Sequence, residues 1–259
     1  MSYTANDIMT VTASRRLRDE AVCFVGIGLP STAANLARLT HAPNINLIYE
    51  SGTIGTRPSV LPLSIGDGEL ASTAETVVST PEIFRYWLQG GRIDVGFLGA
   101  AQIDRYANIN TTVIGPYTSP KTRLPGAGGA PDIAALAKEV FIIIRQSRRA
   151  FVEKLDFITS AGHLEGGDSR KRAGLPGQGP TAVITDLCVL EPDPVTRELT
   201  VTSIHPGVDR AQIDAATGWR LRYAEQVATT PAPSDATLQV LRDLLERTAQ
   251  AHGGTTNAE

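Results

Sequence analysis

The feature that most constrains the fold is a series of short, continuously apolar runs that alternate with helical stretches. The runs at 21–25, 45–49 and 140–144 do not alternate between polar and apolar residues, as strands with one face in water would. Continuous apolar strands are typical of parallel sheets that are covered on both faces. The sequence therefore predicts an α/β fold with a mostly parallel open sheet flanked by helices.

The last third of the chain differs from the rest in composition and in its predicted strands. A stretch rich in Gly and Arg, 162–180, precedes strand-like segments at 181–190 and 199–204. We interpret these segments as antiparallel additions to the same sheet. An amphipathic helix is predicted over 234–251. Its expected inner face consists of Leu238, Leu241, Leu244 and Leu245.

Composition bounds the class of protein. Of the 259 residues, 42% are hydrophobic and 20% are charged, values that exclude intrinsic disorder. Because no internal repeat or linker interrupts the chain, we expect one domain over 1–251 and a disordered polar tail over 252–259.

Charge and cysteine usage limit the partners. The formal net charge of −3 lacks the basic excess of a nucleic-acid-binding surface. No apolar run approaches the roughly 20 residues of a membrane span, and the first residues do not resemble a leader. We therefore expect no nucleic-acid partner, no membrane partner and a cytoplasmic location. Cys23 and Cys188 lie in apolar runs without metal-ligand spacing, so buried thiols and no metal site are expected.

A carboxylate follows directly on one of the buried strands. Glu50 comes immediately after 45–49, and Ser51 and Gly52 allow the backbone to turn there. Open α/β sheets bind ligands at the carboxyl ends of their strands, so Glu50 is a candidate for an active-site group. Spacing alone leaves open the alternative that Glu50 caps a helix or forms a salt bridge.

Glycines mark two turns that are able to face a ligand. Gly26 and Gly28 lie between a strand and a helix for which Ser31 is the expected N-cap. Ser31 also replaces the third glycine of the dinucleotide motif G-x-G-x-x-G, which weakens a nicotinamide-binding interpretation. A plain strand-to-helix turn is the alternative.

The second turn, 125–132, concentrates small residues before a short helix. Successive backbone N–H groups in such a loop are able to converge on an anion or a developing oxyanion. A flexible connection is the alternative. The basic cluster at 169–172 is interpreted as a solvated surface loop, with phosphate binding as the alternative. The nucleophile motif G-x-S-x-G is absent, so a serine hydrolase triad is unsupported.

These segments together resemble the β subunit of family I CoA-transferases. The resemblance extends over most of the chain, and it rests on GIGLPSTAAN (26–35), LIYESGTIG (47–55), FLGAAQIDRYANIN (97–110) and GAGGA (126–130), continued at 160–172, 182–188 and 204–207. The family's nucleophilic glutamate lies in a Ser-Glu-Asn-Gly signature, which aligns with 49–52. Here the glutamate and the glycine are retained, whereas Tyr49 replaces the serine and Ser51 the asparagine.

The resemblance implies a ping-pong reaction in which Glu50 takes CoA from succinyl-CoA as a glutamyl-CoA thioester. The thioester then passes CoA to 3-oxoadipate or a similar dicarboxylic 3-oxo acid in aromatic-compound catabolism by the β-ketoadipate pathway. No permanent cofactor or metal is implied, since the CoA thioester is a substrate. A separate homologous α subunit is expected, in an αβ unit or an α2β2 assembly, with the active site at their interface.

The resemblance also assigns residues to the site. Oxyanion- and CoA-binding positions are expected at Gly26, Gly28, Ser51, Gly52, Gln102, Gly126, Gly128, Gly129 and Ala130. The distal carboxylate of the substrates calls for a cation, and the candidates are Arg57, Arg105, Lys121 and Arg123.

Three alternatives remain at this stage. The same fold would also suit a CoA-thioester hydrolase or lyase. A glutaconate-type CoA-transferase β subunit would keep the chemistry and change the acceptor. A non-catalytic partner subunit would have a structural Glu50.

Overall fold

The computed structural model describes residues 2–253, in which strands and helices alternate as the apolar runs predict. The helices are α1 (Ala5–Arg15), α2 (Leu29–Leu39), α3 (Gly68–Ser72), α4 (Thr80–Glu82), α5 (Ala130–Leu136), α6 (Ser169–Arg172), α7 (Arg210–Ala215) and α8 (Asp235–Ala251), with a π-helical segment at Ile83–Leu88. The first seven strands are β1 (Val22–Phe24), β2 (Asn46–Ile48), β3 (Thr53–Ile54), β4 (Thr76–Val77), β5 (Val95–Leu98), β6 (Gln102–Ile103) and β7 (Ile109–Asn110). The remaining strands are β8 (Val113–Ile114), β9 (Thr122–Arg123), β10 (Glu139–Ile143), β11 (Pro180–Ile184), β12 (Cys188–Pro192), β13 (Leu199–Ile204) and β14 (Arg222–Thr229).

One ten-stranded sheet, in the order β14-β13-β12-β11-β10-β5-β1-β2-β3-β4, organises the described chain. Its centre, β11 to β2, is parallel. The predicted α/β class is therefore confirmed. Of the predicted antiparallel additions, 199–204 is β13 and the second half of 181–190 is β12, whereas 181–184 belongs to β11, which is parallel to β10. Strand β14 instead runs parallel to β13. At the other edge β3 and β4 add antiparallel strands that the sequence did not indicate.

The central strands are buried on both faces, which explains their continuous apolar character. One face packs against α1 and α2 in a cluster that includes Met9, Leu47 and Phe141. The opposite face packs beneath α5 and the π-helical segment in a second cluster that includes Ile48 and Ile142. Alternate residues of one strand thus serve two separate cores.

Helix α2 begins earlier than the sequence predicts. Its N-cap is Gly28 rather than Ser31, with Pro30 in the first turn, where the missing N–H of proline costs no helix hydrogen bond. Ser31 therefore lies inside the helix, and its hydroxyl forms a hydrogen bond with Tyr49.

Helix α8 begins at its N-cap Ser234, whose side chain accepts a hydrogen bond from the Thr237 N–H. Leu238, Leu241 and Leu244 are buried as expected, but Leu245 is 39% exposed. The last turn packs against the segment before α3, where the Leu61 N–H donates to the Thr248 hydroxyl. Of the predicted tail 252–259, residues 254–259 lie outside the described part of the chain.

The basic cluster at α6 is only partly a surface loop. Arg170 is 5% exposed, and burial lowers its pKa to about 10. Its guanidinium donates hydrogen bonds to the carbonyl oxygens of Ala134, Ala135, Ala161, Gly162 and Gly177. Arg170 therefore holds the end of α5 to the loop before β11 at the amino edge of the sheet, while Lys171 and Arg172 are exposed.

Cys23 and Cys188 are both buried free thiols. Burial raises the pKa of Cys188 to about 12 and that of Cys23 further. None of the helices in the described residues is long and apolar enough to cross a membrane.

His163 gives the folded protein a defined sensitivity to acid. The side chain is 2% exposed, and it bonds to the Pro180 carbonyl through Nε2 at 2.8 Å. Burial lowers its pKa to about 4 from 6.5. As the pH falls from about 6.5 to 4, the His163 side chain therefore takes up a proton in the unfolded chain but not in the folded one. The free energy of unfolding decreases across that window.

We predict that His163→Gln flattens this dependence, because glutamine is able to donate to the same carbonyl but does not titrate. Between pH 7 and 4 the unmodified protein should lose about 2–3 kcal/mol more free energy of unfolding than the variant. Urea unfolding across this range measures the difference. Parallel stability curves for the two proteins would contradict the prediction.

Candidate active site

Glu50 lies at the carboxyl edge of the sheet, in the tight turn between β2 and β3. The turn is closed by hydrogen bonds from the Gly52 N–H to the Tyr49 carbonyl, at 3.0 Å, and from the Tyr49 N–H to the Thr53 carbonyl, at 3.1 Å. Gly52 has φ +111°, and a Cβ there would lie 1.9 Å from the Val78 carbonyl oxygen. Only glycine fits this position, so the turn fixes where the Glu50 side chain begins.

Tyr49 anchors this turn to α2 from inside the core. The side chain is fully buried, and its hydroxyl lies 2.9 Å from the Ser31 hydroxyl. Asn35 donates to the Ser31 carbonyl at 3.0 Å. Burial raises the pKa of Tyr49 to about 12, so the phenol remains neutral and retains its proton for this bond. Tyr49, one of the two residues that depart from the family signature, therefore holds the turn in place.

A cavity of about 580 Å³ opens beside Glu50. Its walls are the segments 24–27, 97–101 and 125–130, with single residues from neighbouring elements. These are the ends of β1 and β5 and the glycine loop before α5, so the cavity is a carboxyl-edge site of the kind open α/β sheets provide. Glu50 is the only ionisable residue in this lining.

The glycine loop approaches the Glu50 carboxylate closely. A Cβ built on Gly129 would lie 3.1 Å from Glu50 Oε1 and 2.5 Å from the ring of Phe84. The loop is fixed at its start, where the Gly126 N–H donates to the Thr111 carbonyl and the Thr111 hydroxyl donates to the Gly126 carbonyl, both at 2.8 Å.

The peptide N–H groups of 127–129 donate no hydrogen bond to any described residue. They are therefore available to a ligand in the cavity. Gly126 and Gly128 have φ values of +103° and +50°, a backbone conformation that glycine adopts at low cost. Ala130 also lines the cavity.

The two glycines of the first turn face different spaces. Gly26 lines the cavity beside Glu50, and nothing lies within 4 Å of the position where its Cβ would be. Gly28 lines a separate cavity of about 400 Å³ formed by α1, α2 and α8. Only Gly26 therefore meets the cavity that holds Glu50.

Three further predicted positions lie outside the cavity lining: Ser51, Gln102 and Gly52, which shapes the turn that carries Glu50. The Ser51 hydroxyl is buried and has no hydrogen-bond partner among the described residues. The Gln102 amide is committed to a buried network, since it donates to Asp156 at 2.8 Å and accepts from Asn110 at 2.7 Å. Gln102 thus holds the strand that follows the lining residue Ala101.

The four cation candidates separate into two pairs. Arg57 bonds to the Pro43 carbonyl at 3.0 Å, ahead of β2 and so at the amino edge of the sheet. Arg105 lies 3.5 Å from Glu153 and 3.9 Å from Glu198, in another cavity. Neither side chain lines the cavity beside Glu50, so neither is placed beside Glu50 within this chain.

The other pair, Lys121 and Arg123, belongs to the hairpin of β8 and β9, which leads directly into the glycine loop at Pro125. The Arg123 guanidinium lies 5.0 Å from the centroid of the Tyr117 ring. Both side chains are exposed. They are the candidates that the fold brings toward the cavity.

Phe84 is a site residue that the sequence analysis missed. Its ring reaches Gly129 and packs against Phe24 with centroids 5.9 Å apart. It is presented by the π-helical segment, in which the Gln89 N–H donates to the Phe84 carbonyl. Such insertions are frequent at functional sites, but no sequence signal distinguishes this turn from an ordinary helix.

Comparisons with known proteins agree with this geometry. The family model described as "Coenzyme A transferase" matches residues 6–216. The chain is 68% identical, over 97% of each sequence, to the B subunit of 3-oxoadipate CoA-transferase from Pseudomonas knackmussii. It is 33% identical to the B subunit of glutaconate CoA-transferase from Acidaminococcus fermentans, over 95% of this chain and 93% of that one.

The crystal structure of glutaconate coenzyme A-transferase from A. fermentans superimposes with a TM-score of 0.89 at 31% identity and covers 96% of each chain. The resemblance read from the sequence is thereby confirmed. The family match, the two relatives and the shared fold together show that this chain belongs to the coenzyme A transferase family.

Proposed function

We propose that this chain is the B subunit of a 3-oxoadipate CoA-transferase and transfers CoA from succinyl-CoA to 3-oxoadipate through a thioester on Glu50. The observation that carries the proposal is the single carboxylate of the cavity, which reaches the glycine loop. The acceptor rests on the 68% identity to the Pseudomonas knackmussii protein. This reaction belongs to aromatic-compound catabolism by the β-ketoadipate pathway.

In the first half-reaction a Glu50 oxygen attacks the thioester carbonyl of succinyl-CoA. The C–S bond breaks, CoA leaves as thiolate, and Glu50 is joined to the succinyl group as a mixed anhydride. The thiolate then attacks the Glu50 carbonyl carbon, succinate leaves, and a glutamyl-CoA thioester remains. The acceptor carboxylate reverses these steps, so the thioester bond is conserved and no net proton is consumed.

The free N–H groups of the glycine loop supply the stabilisation that each tetrahedral intermediate needs. Gly128 and Gly129 have peptide N–H groups without partners in the described chain. A well-aimed donor of this kind contributes about 3–4 kcal/mol to the transition state. Apart from Glu50 and Thr111, whose hydroxyl is bonded to the Gly126 carbonyl, the side chains of the lining are apolar, so few groups compete for these donors.

We place the distal carboxylate of the substrates at the hairpin of β8 and β9. The Lys121 side chain makes no hydrogen bond or ion pair with a described residue, and the Arg123 side chain bonds only to the Tyr117 carbonyl, at 3.2 Å, besides its ring contact. Either cation is free to bind a carboxylate. The hairpin leads into the glycine loop. In this proposal the reacting end of a dicarboxylate substrate lies at Glu50, and its distal carboxylate lies at Lys121 or Arg123.

The partner is a separate α subunit that covers the cavity. Several large apolar side chains are exposed, and one of them, Ile65, lines the cavity; the others on this part of the chain include Leu63, Val77, Tyr86 and Tyr117. Apolar patches of this kind mark interfaces. Covering them would also exclude water from the anhydride. The smallest active unit is then αβ, with α2β2 as the expected assembly.

We place this assembly in the cytoplasm. The two buried free thiols suit a reducing compartment.

Glu50→Gln should abolish transfer, because an amide does not form the anhydride. We expect a loss of at least about a thousandfold in kcat, with the free energy of unfolding nearly unchanged. Intact-mass spectrometry after exposure to succinyl-CoA should show a CoA adduct on Glu50 in the unmodified complex and none in the variant. Glu225→Gln, at an exposed position on β14, is the matched control and should retain the adduct.

The same measurement separates the competing activities. Discharge of the adduct by 3-oxoadipate but not by glutaconate supports the proposed acceptor. Consumption of succinyl-CoA without any adduct would indicate a hydrolase or lyase and would overturn the transferase mechanism. Transfer that survives in Glu50→Gln would make Glu50 structural.

A methyl group on Gly129 should damage catalysis far more than folding. In Gly129→Ala the new Cβ meets Glu50 Oε1 at 3.1 Å and Phe84 at 2.5 Å, so the carboxylate and the ring must both shift. We expect kcat to fall roughly a hundredfold, as for the loss of an oxyanion donor. The control is Gly99→Ala, which adds a methyl group to the same cavity but meets only the Ile143 carbonyl, at 3.9 Å. Equal losses in both variants would contradict the prediction.

A further inference from the structure

Three arginines lie together where the chain leaves β10. Arg145, Arg148 and Arg149 occupy the segment just after this strand and are all exposed. The segment is a fixed turn, because the Ser147 carbonyl accepts hydrogen bonds from the Ala150 N–H at 2.9 Å and the Phe151 N–H at 2.7 Å. Since β10 is parallel to β5, β1 and β2, these arginines lie at the same edge of the sheet as Glu50.

The charges of this segment are largely uncompensated. Neither the Arg148 nor the Arg149 side chain forms a hydrogen bond or ion pair with any residue in 2–253, and the Arg145 side chain bonds only to that of Asn6, at 2.8 Å. The carboxylate of Asp186 accepts instead from the Gln146 N–H, at 2.7 Å. A cluster of free guanidinium groups stands out in a chain whose net charge is −3.

The cavity beside Glu50 extends to the end of β10, where the segment with the three arginines begins. Ile143, the last residue of β10, lines the cavity, as does Ala101. Two residues beyond Ala101, the Ile103 N–H donates to the Ala150 carbonyl at 2.7 Å. This bond joins the cavity wall formed by 97–101 to the turn that carries Arg148 and Arg149, here called the arginine turn. Three strand-to-strand steps of about 4.8 Å separate β2 from β10, or roughly 14 Å along the edge.

We propose that Arg145, Arg148 and Arg149 bind the phosphate groups at the nucleotide end of CoA while its pantetheine arm lies in the cavity. This inference rests on the proposed function and assigns the donor's second anchoring point. CoA carries its negative charge at the nucleotide end and its sulfur at the other. The arm between them is as long as roughly five extended residues at about 3.3 Å each, or about 16 Å, which is similar to the roughly 14 Å between β2 and β10 along this edge. Guanidinium groups bind phosphate oxygens in bidentate pairs.

The basic cluster at α6 does not offer such a site. It lies at the amino edge of the sheet, on the far side from Glu50, and its buried Arg170 is saturated by carbonyl oxygens. Lys171→Ala/Arg172→Ala therefore removes the same charge as Arg148→Ala/Arg149→Ala, but it does so at the amino edge of the sheet and not at the carboxyl edge where Glu50 lies. The two double variants form a matched pair.

The test compares two donors on the complete two-subunit complex: succinyl-CoA and S-succinylpantetheine, which lacks the nucleotide. In Arg148→Ala/Arg149→Ala we expect KM for succinyl-CoA to rise about tenfold or more, while the preference for succinyl-CoA over the truncated donor collapses. Arg148→Lys/Arg149→Lys should recover part of that preference. Lys171→Ala/Arg172→Ala should keep it.

Binding of adenosine 3′,5′-bisphosphate, measured by calorimetry, separates this inference from the transfer reaction. Weaker nucleotide binding in the arginine variant supports the inference even if the complex transfers no CoA, in which case only the proposed function fails. Equal losses for both donors, unchanged nucleotide binding, or a failure of the variant to assemble with its partner would overturn it. In the last case the arginines would be a contact between subunits.

Discussion

The parallel alignment of β10, β5, β1 and β2 is the constraint on which the site depends. Because these strands run in one direction, the chain leaves each of them at the same edge. The Gly26 turn, Glu50, the 97–101 segment and the arginine turn all follow such strand ends. Burial of both strand faces makes this arrangement rigid, since each strand packs into two cores. Groups far apart in sequence are thereby held at one edge of the sheet, and the first three of these line one cavity.

The sequence predicts those parts of the molecule that local pattern determines. Apolar runs marked the strands of the sheet centre, and a carboxylate directly after a strand marked Glu50. The role of a side chain was not predictable where it depends on a contact with a residue that is remote in the sequence. Ser31 was assigned as a helix cap because it is a good capping residue, whereas its hydroxyl is used by Tyr49. Arg57 and Arg105 were candidates because they are cations, but both lie away from the cavity, and charge alone does not show on which side of the sheet a side chain lies.

Three residues whose contacts the sequence did not show share a physical cause. Phe84 depends on a π-helical insertion, which changes the direction of a side chain without changing composition. Arg170 belongs to a run of four residues that looks solvated, yet distant carbonyl groups desolvate it. Gln102 is typical of a polar site group, but Asp156 and Asn110 occupy its amide. In each case the deciding partner is remote in sequence, and a pattern of neighbouring residues carries no information about it.

The distribution of charge suits a nucleophile that must react with an acyl carbonyl. A guanidinium beside Glu50 would stabilise the free carboxylate and so lower its reactivity toward the thioester. The cavity instead contains no ionisable group besides Glu50 among the described residues, and we propose that the unpartnered backbone N–H groups of the glycine loop stabilise the oxyanion charge. Cations lie beyond the reacting centre, on the β8–β9 hairpin and after β10. In the proposed reaction, binding energy from the substrate's distant charges is then available to hold the thioester against Glu50 without lowering the reactivity of that carboxylate.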